Sequence, residues 1–247
     1  MIAVNEHKSS KSGAKVAAPE VDRGKFWNQK ILEWENDRYD DRVMRSSFLE
    51  VFAFSAGKSL RHRMQYARKL LAPVCSGKRI VEFGCGTGRL AASLIEAGAQ
   101  HYLGIDISSE AIDAARDRAL NDGINERANF LVSDILSAPP GQADIVFSLG
   151  LIDWLSDHEI EALFSKFSDA DYLHSFSEER STISQRIHKA YVYLAYGHRS
   201  KNYVPSYHES DKLKSIAAHS AKKQALVYRH PKLSFGTFLT NLSTDGL

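Results

Sequence analysis

Ile80-Val81-Glu82-Phe83-Gly84-Cys85-Gly86-Thr87-Gly88-Arg89-Leu90 joins an apolar strand end, an acidic residue and three alternate glycines to the start of a helix. A sharp strand-to-helix turn needs positive φ or a missing Cβ, and a ligand lying against such a backbone leaves no room for side chains. The stretch therefore predicts a nucleoside cofactor at the tip of a parallel strand. Its spacing separates two kinds of cofactor. A dinucleotide fingerprint would place its third glycine at position 89, where this chain has Arg89; here the third glycine is Gly88. A carboxylate at the strand tip, Glu82, would repel a pyrophosphate and suits a ligand with a cationic amino acid portion.

The run Glu82 to Gly88 resembles the first motif of the class I S-adenosylmethionine-dependent methyltransferases, and the segments that follow keep that family's order. Gly104-Ile105-Asp106-Ile107-Ser108 reads as a second strand ending in an acidic residue. In the family that residue accepts hydrogen bonds from the ribose hydroxyls, and Asp106 matches it. Phe130-Leu131-Val132-Ser133-Asp134-Ile135 reads as a third strand followed by the acidic position at the adenine amino group. Ala143 to Gly150 reads as the fourth strand, whose end borders cofactor and acceptor. The resemblance thus implies S-adenosylmethionine as cofactor, held by Glu82, Gly84, Cys85, Gly86, Gly88, Leu90, Asp106, Ile107, Asp134, Ile135 and Leu149. It covers residues 75–175 and hardly touches the flanks. The plain alternatives are an ordinary strand-to-helix turn at the glycines and, at Asp106, the stop before a helix capped by Ser108 or Ser109. Acidic residues such as Asp134 are also common in loops after strands.

At 247 residues and 43% hydrophobic content, the chain is long enough for one sizeable core and too short for two full domains. Residues 1–24, rich in Ser, Lys, Ala and Gly without apolar periodicity, read as a mobile tail. They lack the apolar core of a secretory signal, and no stretch approaches the roughly 20 apolar residues of a membrane span. Cys75 and Cys85 offer neither a disulfide framework nor a metal set, so no metal is expected and the setting reads as reducing and cytoplasmic.

Helical spacing over residues 26–34 and 59–71 places helices before the first strand. Strands are expected near 79–83, 101–105, 128–132, 144–149 and 171–176, with helices near 88–97, 108–121 and 157–167. This alternation predicts an α/β fold, a doubly wound and mostly parallel sheet. A helix over 211–220 and strands at 224–228 and 235–239 close it. With the family's final hairpin, the expectation is a Rossmann-like methyltransferase fold of seven strands. The chain then divides into an N-terminal helical cap (25–75), a cofactor-binding core (76–175), an acceptor-recognition insert after the fifth strand (176–209) and a closing segment (210–247). Ligands in such sheets bind outside the carboxyl ends of the strands, where Glu82, Asp106, Asp134 and Leu149 fall.

Connections as long as residues 177–209 are usually functional or have structure of their own. Ile183, Ile187, Tyr191 and Leu194 follow helical spacing, which predicts a helix packed over the cleft; Tyr191, Tyr193 and Tyr196 also suit the core and rim of such a helix. Residues 176–232 hold eleven Lys or Arg against four Asp or Glu, on a chain whose net charge is only +2. The excess points to an anionic acceptor, or to a solvated basic face. Basic residues interleaved with Tyr191, Tyr196, Tyr203 and Tyr207 could also hold nucleic acid. Against that, Ser148 to Trp154 replaces the Asn-Pro-Pro-Tyr-like segment of base amino methylating relatives, and the overall charge is modest.

Methyl transfer from a sulfonium rests largely on alignment. A hydroxyl acceptor becomes far more reactive when a base removes its proton. Candidates for the base are Asp153, His158 and His174, with His198 and His208 in the insert. Tyr39, Trp154, His198 and Tyr203 are candidates for the acceptor pocket. The reading is methylation of an oxygen on a small anionic acceptor in a biosynthetic pathway. The alternatives are an RNA methyltransferase, or a scaffold that binds the cofactor without consuming it.

Overall fold

A computed structural model describes residues 21–39, 48–193, 203–221 and 223–244. Its strands are β1 Arg79–Phe83, β2 His101–Asp106, β3 Ala128–Val132, β4 Ile145–Leu149, β5 Asp171–Ser177, β6 Leu226–Tyr228 and β7 Gly236–Thr240. They form one seven-stranded sheet in the order β3-β2-β1-β4-β5-β7-β6. All pairs from β3 to β5 are parallel, while β7 runs antiparallel to β5 and to β6. The chain winds outward from β1 to β3 and then crosses to β4 on the other side of β1. That reversal leaves a crevice at the carboxyl ends of β1 and β4.

The helices are α1 Arg23–Tyr39, α2 Phe48–Leu71, α3 Ala91–Glu96, α4 Ser109–Asn121, α5 Asp157–Lys166, α6 Ile183–Val192 and α7 Ser210–Ser220; the 3₁₀ turn after β4 is Ile152–Trp154, and another short one, Pro231–Leu233, precedes β7. Their starts are written locally. Ser108 accepts from the Ala111 amide at 3.1 Å, Thr182 from that of Gln185 at 3.3 Å, and Ser156 with Glu159 forms a reciprocal capping box.

Period-two alternation sends successive strand residues to opposite faces. Ile80, Tyr102, Ile145, Phe147 and Leu173 pack with Leu70, Leu94 and Ile112 of α2, α3 and α4. Val81, Phe83, Ile105, Val146 and Tyr172 pack on the other face with Ile160, Leu163, Phe164 and Leu213 of α5 and α7. Each such side chain contributes about 1.5–3 kcal/mol on burial, so both faces of the sheet must stay covered.

Two expectations are corrected. Arg23 and Gly24, assigned to the tail, open α1; residues 1–20 lie outside the described ones. The apolar stripe of α6 does not pack over the cleft: Ile183 is 78% exposed, Ile187 51% and Tyr193 59%. Polar anchors set the rotation of this helix. Buried Gln185 donates to the Glu178 carbonyl at 2.7 Å and accepts from the Arg180 amide at 2.6 Å, which turns Gln185 inward and the isoleucines outward. Leu194 and Tyr196 lie outside the described residues.

Glu178, just past β5, is the hub of the closing segment. Its carboxylate accepts from Arg229 Nε at 2.9 Å, Arg180 Nε at 3.0 Å, Thr237 Oγ1 at 3.2 Å and Ser210 Oγ. Burial alone would raise its pKa, but hydrogen bonds from Arg229, Ser210 and Arg180 hold it down to about 2. A carboxylate lowered on folding stabilises above its unfolded pKa and loses that contribution as pH falls through the folded value. Glu178→Gln is therefore expected to lower the urea midpoint at neutral pH. The gap from the parent should close as pH falls from about 4.5 toward about 2, measured by urea titration at a series of pH values.

Candidate functional site

The floor of the crevice is the turn between β1 and α3. Gly86 and Gly88 adopt φ of 52° and 68°, a region that L side chains rarely enter. The Gly88 position also abuts Phe130, where a Cβ would lie 2.7 Å from its ring. Gly88 therefore serves helix–sheet packing and does not line the crevice, which corrects its placement among the cofactor contacts. Asp106 accepts from the Gly86 amide at 2.9 Å and from the Ser108 amide at 2.9 Å, tying the ends of β1 and β2 together. Burial raises its pKa, and the Ser108 and Gly86 amides partly offset that. Burial likewise drives Glu82 well above the usual carboxylate range, against the hydrogen bond donated by the Tyr102 hydroxyl. The Cys85 thiol is pushed well up by burial and by Asp106, Glu82 and Glu35, so it stays an uncharged wall.

Asp134 spends most of its acceptor capacity on its own turn. It accepts from the Leu136 and Ser137 amides at 2.8 Å each and from Ser137 Oγ at 2.9 Å. Burial opposes its ionisation, but these bonds and Lys166 hold its pKa below the ordinary value.

The roof over the turn comes from α1. Glu35 is 5% exposed and accepts from the Thr87 amide at 3.0 Å, Thr87 Oγ1 at 2.6 Å and Arg89 Nε at 2.9 Å. A Cβ on Gly86 would stand 1.9 Å from Glu35 Oε1. Sequence reasoning missed Glu35; the only signal was its place one helical turn after Ile31, on the same buried face.

Around this turn lies a cavity of ≈ 660 Å³. Glu82, Gly84, Cys85, Gly86, Leu90, Asp106, Ile107, Asp134, Ile135 and Leu149 line one end of it. Arg63, Trp154, Arg180, His188, Tyr203 and Tyr207 line the remainder. Trp154 lies 4.9 Å from both Trp27 and Tyr203, ring centre to ring centre, in a cluster carried by α1, the 3₁₀ turn and the end of the insert.

The candidate bases fare differently. His174 is not at the cavity: strand alternation points it under α5, where it is 1% exposed and edge-on to Phe164. Its Nδ1 and Ser148 Oγ are 2.9 Å apart, and burial lowers its pKa to about 3. His158 is exposed in the first turn of α5, and His208 is buried with Nε2 at 3.2 Å from the Ile152 carbonyl; neither lines the cavity. Asp153 does line it, but its carboxylate accepts from the Ser177 amide at 2.6 Å and Ser177 Oγ at 2.7 Å and faces Arg63 at 3.7 Å. Burial raises its pKa, and Arg63 and Ser177 pull it back. Its geometry is that of a brace for Arg63 and not of a free base. His198 and the side chain of Tyr39 lie outside the described residues.

Part of the basic excess of residues 176–232 is paired. Arg180 and Arg229 pair with Glu178, Lys189 with Glu179, Lys212 with Asp157 and Lys223 with Asp171. The cation buried at the cavity wall is Arg63 of α2, 6% exposed, a residue that sequence reasoning missed because its setting depends on β5 and β7. It donates to Ser177 Oγ at 3.1 Å, and its Nε is buried without a partner among the described residues.

Residues 80–170 match the family model described as a methyltransferase domain. Those residues carry a methyltransferase domain, and the sheet around them has the fold of the S-adenosylmethionine-dependent methyltransferases. Among curated relatives, the ribosomal protein L11 methyltransferase of Serratia proteamaculans is 38% identical over 78 residues, 26% of this chain and 27% of that protein. Its counterpart in Photobacterium profundum is 44% identical over 71 residues, 28% of this chain and 24% of that protein. The chain thus spans about a quarter of the length of these relatives. Among solved structures, magnesium protoporphyrin IX methyltransferase from Synechocystis PCC 6803, with bound SAH, superposes with a TM-score of 0.67 at 17% identity. That match covers 90% of this chain and 98% of that one. Mitomycin 7-O-methyltransferase gives 0.56 at 14% identity, over 85% and 60%.

The methyltransferase site fits its cofactor's charge. Glu35, Glu82 and Asp106 converge on the glycine turn with their carboxyl groups buried, and a ligand bearing ammonium and sulfonium charge would favour their ionised forms. Glu82, Asp106, Ile107, Asp134 and Ile135, to which the resemblance gives the amino acid, ribose and adenine contacts, all line this cavity; we propose those roles for them.

Two outcomes test this geometry. Asp106→Ala is expected to weaken S-adenosylhomocysteine binding by about 1–3 kcal/mol, the scale of a hydrogen bond to a charged group; calorimetry showing undiminished affinity would refute the ribose assignment. Gly86→Ala is expected to destabilise the fold, because the new methyl meets Glu35 and the backbone strain adds about 1–3 kcal/mol. Adding Glu35→Ala should recover part of the loss, read as a non-additive urea midpoint in the double variant.

Proposed function

We propose that this methyltransferase transfers the methyl group of S-adenosylmethionine to a hydroxyl oxygen of a small, anionic, planar acceptor. The observation that carries this reading is Arg63, a buried guanidinium at the wall of the same cavity that holds the glycine turn. Its Nη2 donates to Ser177 Oγ at 3.1 Å, which fixes the plane of the guanidinium, and a guanidinium fork matches a carboxylate in shape and charge. The rings of Trp27, Trp154 and Tyr203 supply flat apolar wall for a conjugated body.

A cavity of ≈ 660 Å³ is of the size that encloses small ligands, ~300–1,000 Å³. The names of the solved neighbours, a porphyrin and a mitomycin methyltransferase, are in keeping with a small acceptor. The likeness to ribosomal protein L11 methyltransferases spans 78 residues. So short a segment cannot include both Arg63 and Tyr207, and it carries little information about the acceptor. When bound, the cofactor supplies a methyl group activated by its sulfonium. The chain's own part is to neutralise the acceptor's anion at Arg63, stack its body against the aromatic wall and keep water from the hydroxyl.

Calorimetric titration with S-adenosylmethionine and S-adenosylhomocysteine, beside NAD, is expected to show micromolar binding of the first two alone. Turnover is then read as S-adenosylhomocysteine release with phenolic carboxylic acids and with their neutral amides. Arg63→Lys keeps a charge beside Asp153 but removes the fork. It should cut kcat/KM for the acids by about tenfold or more while barely changing the amides. Failure of both cofactor forms to bind, or equal losses on acids and amides, would overturn the reading. Binding without turnover of any acceptor would favour the scaffold alternative.

A further inference from the structure

The aromatic and cationic wall at the acceptor end contains one histidine among the described residues, His188 of α6. Its Nδ1 is hydrogen-bonded to the hydroxyl of Tyr207, which itself lines the cavity. The two residues are 19 apart and come from separate segments. α6 is held in place by Gln185 bonded to Glu178, and the strand-like stretch at Tyr207 by the amides of Ser206 and His208. Ser206 N donates to the Asp153 carbonyl at 2.6 Å and His208 N to the Ser177 carbonyl at 2.9 Å. The first anchor lies in the 3₁₀ turn after β4 and the second at the end of β5, and both His188 and Tyr207 line the cavity that holds the glycine turn.

We propose that Tyr207 and His188 form a proton relay that takes the proton of the acceptor hydroxyl, next to the anion site at Arg63. The inference rests on the small-acceptor reading above and adds the base that reading requires. With the imidazole proton on Nε2, Tyr207 donates to Nδ1 and offers its oxygen lone pairs to the acceptor. The acceptor hydroxyl passes its proton to the Tyr207 oxygen as the tyrosine's own proton moves to His188 Nδ1. One neutral pair becomes an oxyanion and an imidazolium; the imidazolium returns its proton to solvent when the product leaves. Tyr207 is the catalytic group here, and His188 acts through it.

The surroundings suit that resting state. Burial lowers the pKa of His188, and the nearby Arg63 charge adds to the effect, so the imidazole starts neutral. Burial pushes Tyr207 up to about 12, with Asp153 and Glu179 raising it and Arg63 lowering it. The Lys189 ammonium stands 4.9 Å from the centre of the Tyr207 ring and pairs with Glu179, and the Phe235 ring lies 5.6 Å from that of His188. Arg63 and Lys189 are thus the cations, and Asp153 and Glu179 the anions, that face the relay from α2, α6, the 3₁₀ turn and the segment after β5. An oxyanion formed beside Arg63 is stabilised by that charge.

The test uses 4-hydroxycinnamate, a carboxylate whose phenol stays protonated in neutral water and whose phenolate absorbs at longer wavelength. Added to the full chain saturated with S-adenosylhomocysteine at pH 7, it should bind and develop the phenolate band. Tyr207→Phe and His188→Gln, both retaining Arg63, should each abolish at least nine-tenths of that band while binding S-adenosylhomocysteine within twofold of the parent. Far-ultraviolet circular dichroism verifies the folding of each, and either variant alone suffices if the other fails to fold. Persistence of the band in the folded variants overturns the relay, as does a parent that binds S-adenosylhomocysteine but not the probe, or binds the probe without ionising it. A parent that fails to bind S-adenosylhomocysteine overturns instead the cofactor reading beneath it.

Discussion

The structure of the site depends on one carboxylate. Asp106 ends β2 and accepts the amides of Gly86 and Ser108, so it fastens the turn after β1 to the start of α4. The amides of Gly84 and Cys85 already bond the Ile105 carbonyl, at 2.7 and 3.2 Å, and Asp106 extends that link to Gly86 and to the start of α4. With the two turns joined, Gly86 keeps its left-handed conformation, Glu35 finds the Thr87 amide, and α1 has a place to dock. The same carboxylate remains at the cavity wall. Structural and ligand-binding demands therefore fall on one buried anion, which explains why its neighbours are backbone amides and not a competing cation.

The acceptor end is assembled by different physics. No strand-to-helix turn builds it; side chains from α2, the 3₁₀ turn, β5 and the insert meet in a polar network. Arg63, Asp153 and Ser177 pair with one another in a desolvated position, where an unpaired charge would be costly; only Arg63 Nε is left without a partner among the described residues. Glu178 performs the corresponding task a few residues on, holding Arg180 and Arg229. These pairings neutralise part of the basic excess of residues 176–232, and Arg63 is the buried arginine of the chamber wall among the described residues.

Much of the architecture was legible in the chain because its signals are local. Strands β1 to β5 follow short apolar runs closed by turn residues, and α4 and α5 follow capping serines; both patterns act within a few residues. The glycine turn and the carboxylates Glu82, Asp106 and Asp134 were legible for the same reason, since each sits at a strand end. The helix α6 was legible too, but its orientation was not. Its isoleucine stripe obeys helical periodicity and nevertheless faces outward, because Gln185 is bonded to the end of β5. His174 shows the converse: a histidine near a strand end, turned by alternation into the core beneath α5.

By itself the sequence determined the winding of the sheet, the place of the cofactor turn and the acidic residues that border it, since all of these arise from spacing along one short stretch at a time. Only the tertiary structure decided what roofs the turn and what faces the acceptor. Glu35 reaches Thr87 across 52 residues, Arg63 reaches Ser177 across 114, and His188 meets Tyr207 across 19. Contacts at such separations depend on how whole helices settle against the sheet, and no local pattern of residues records that.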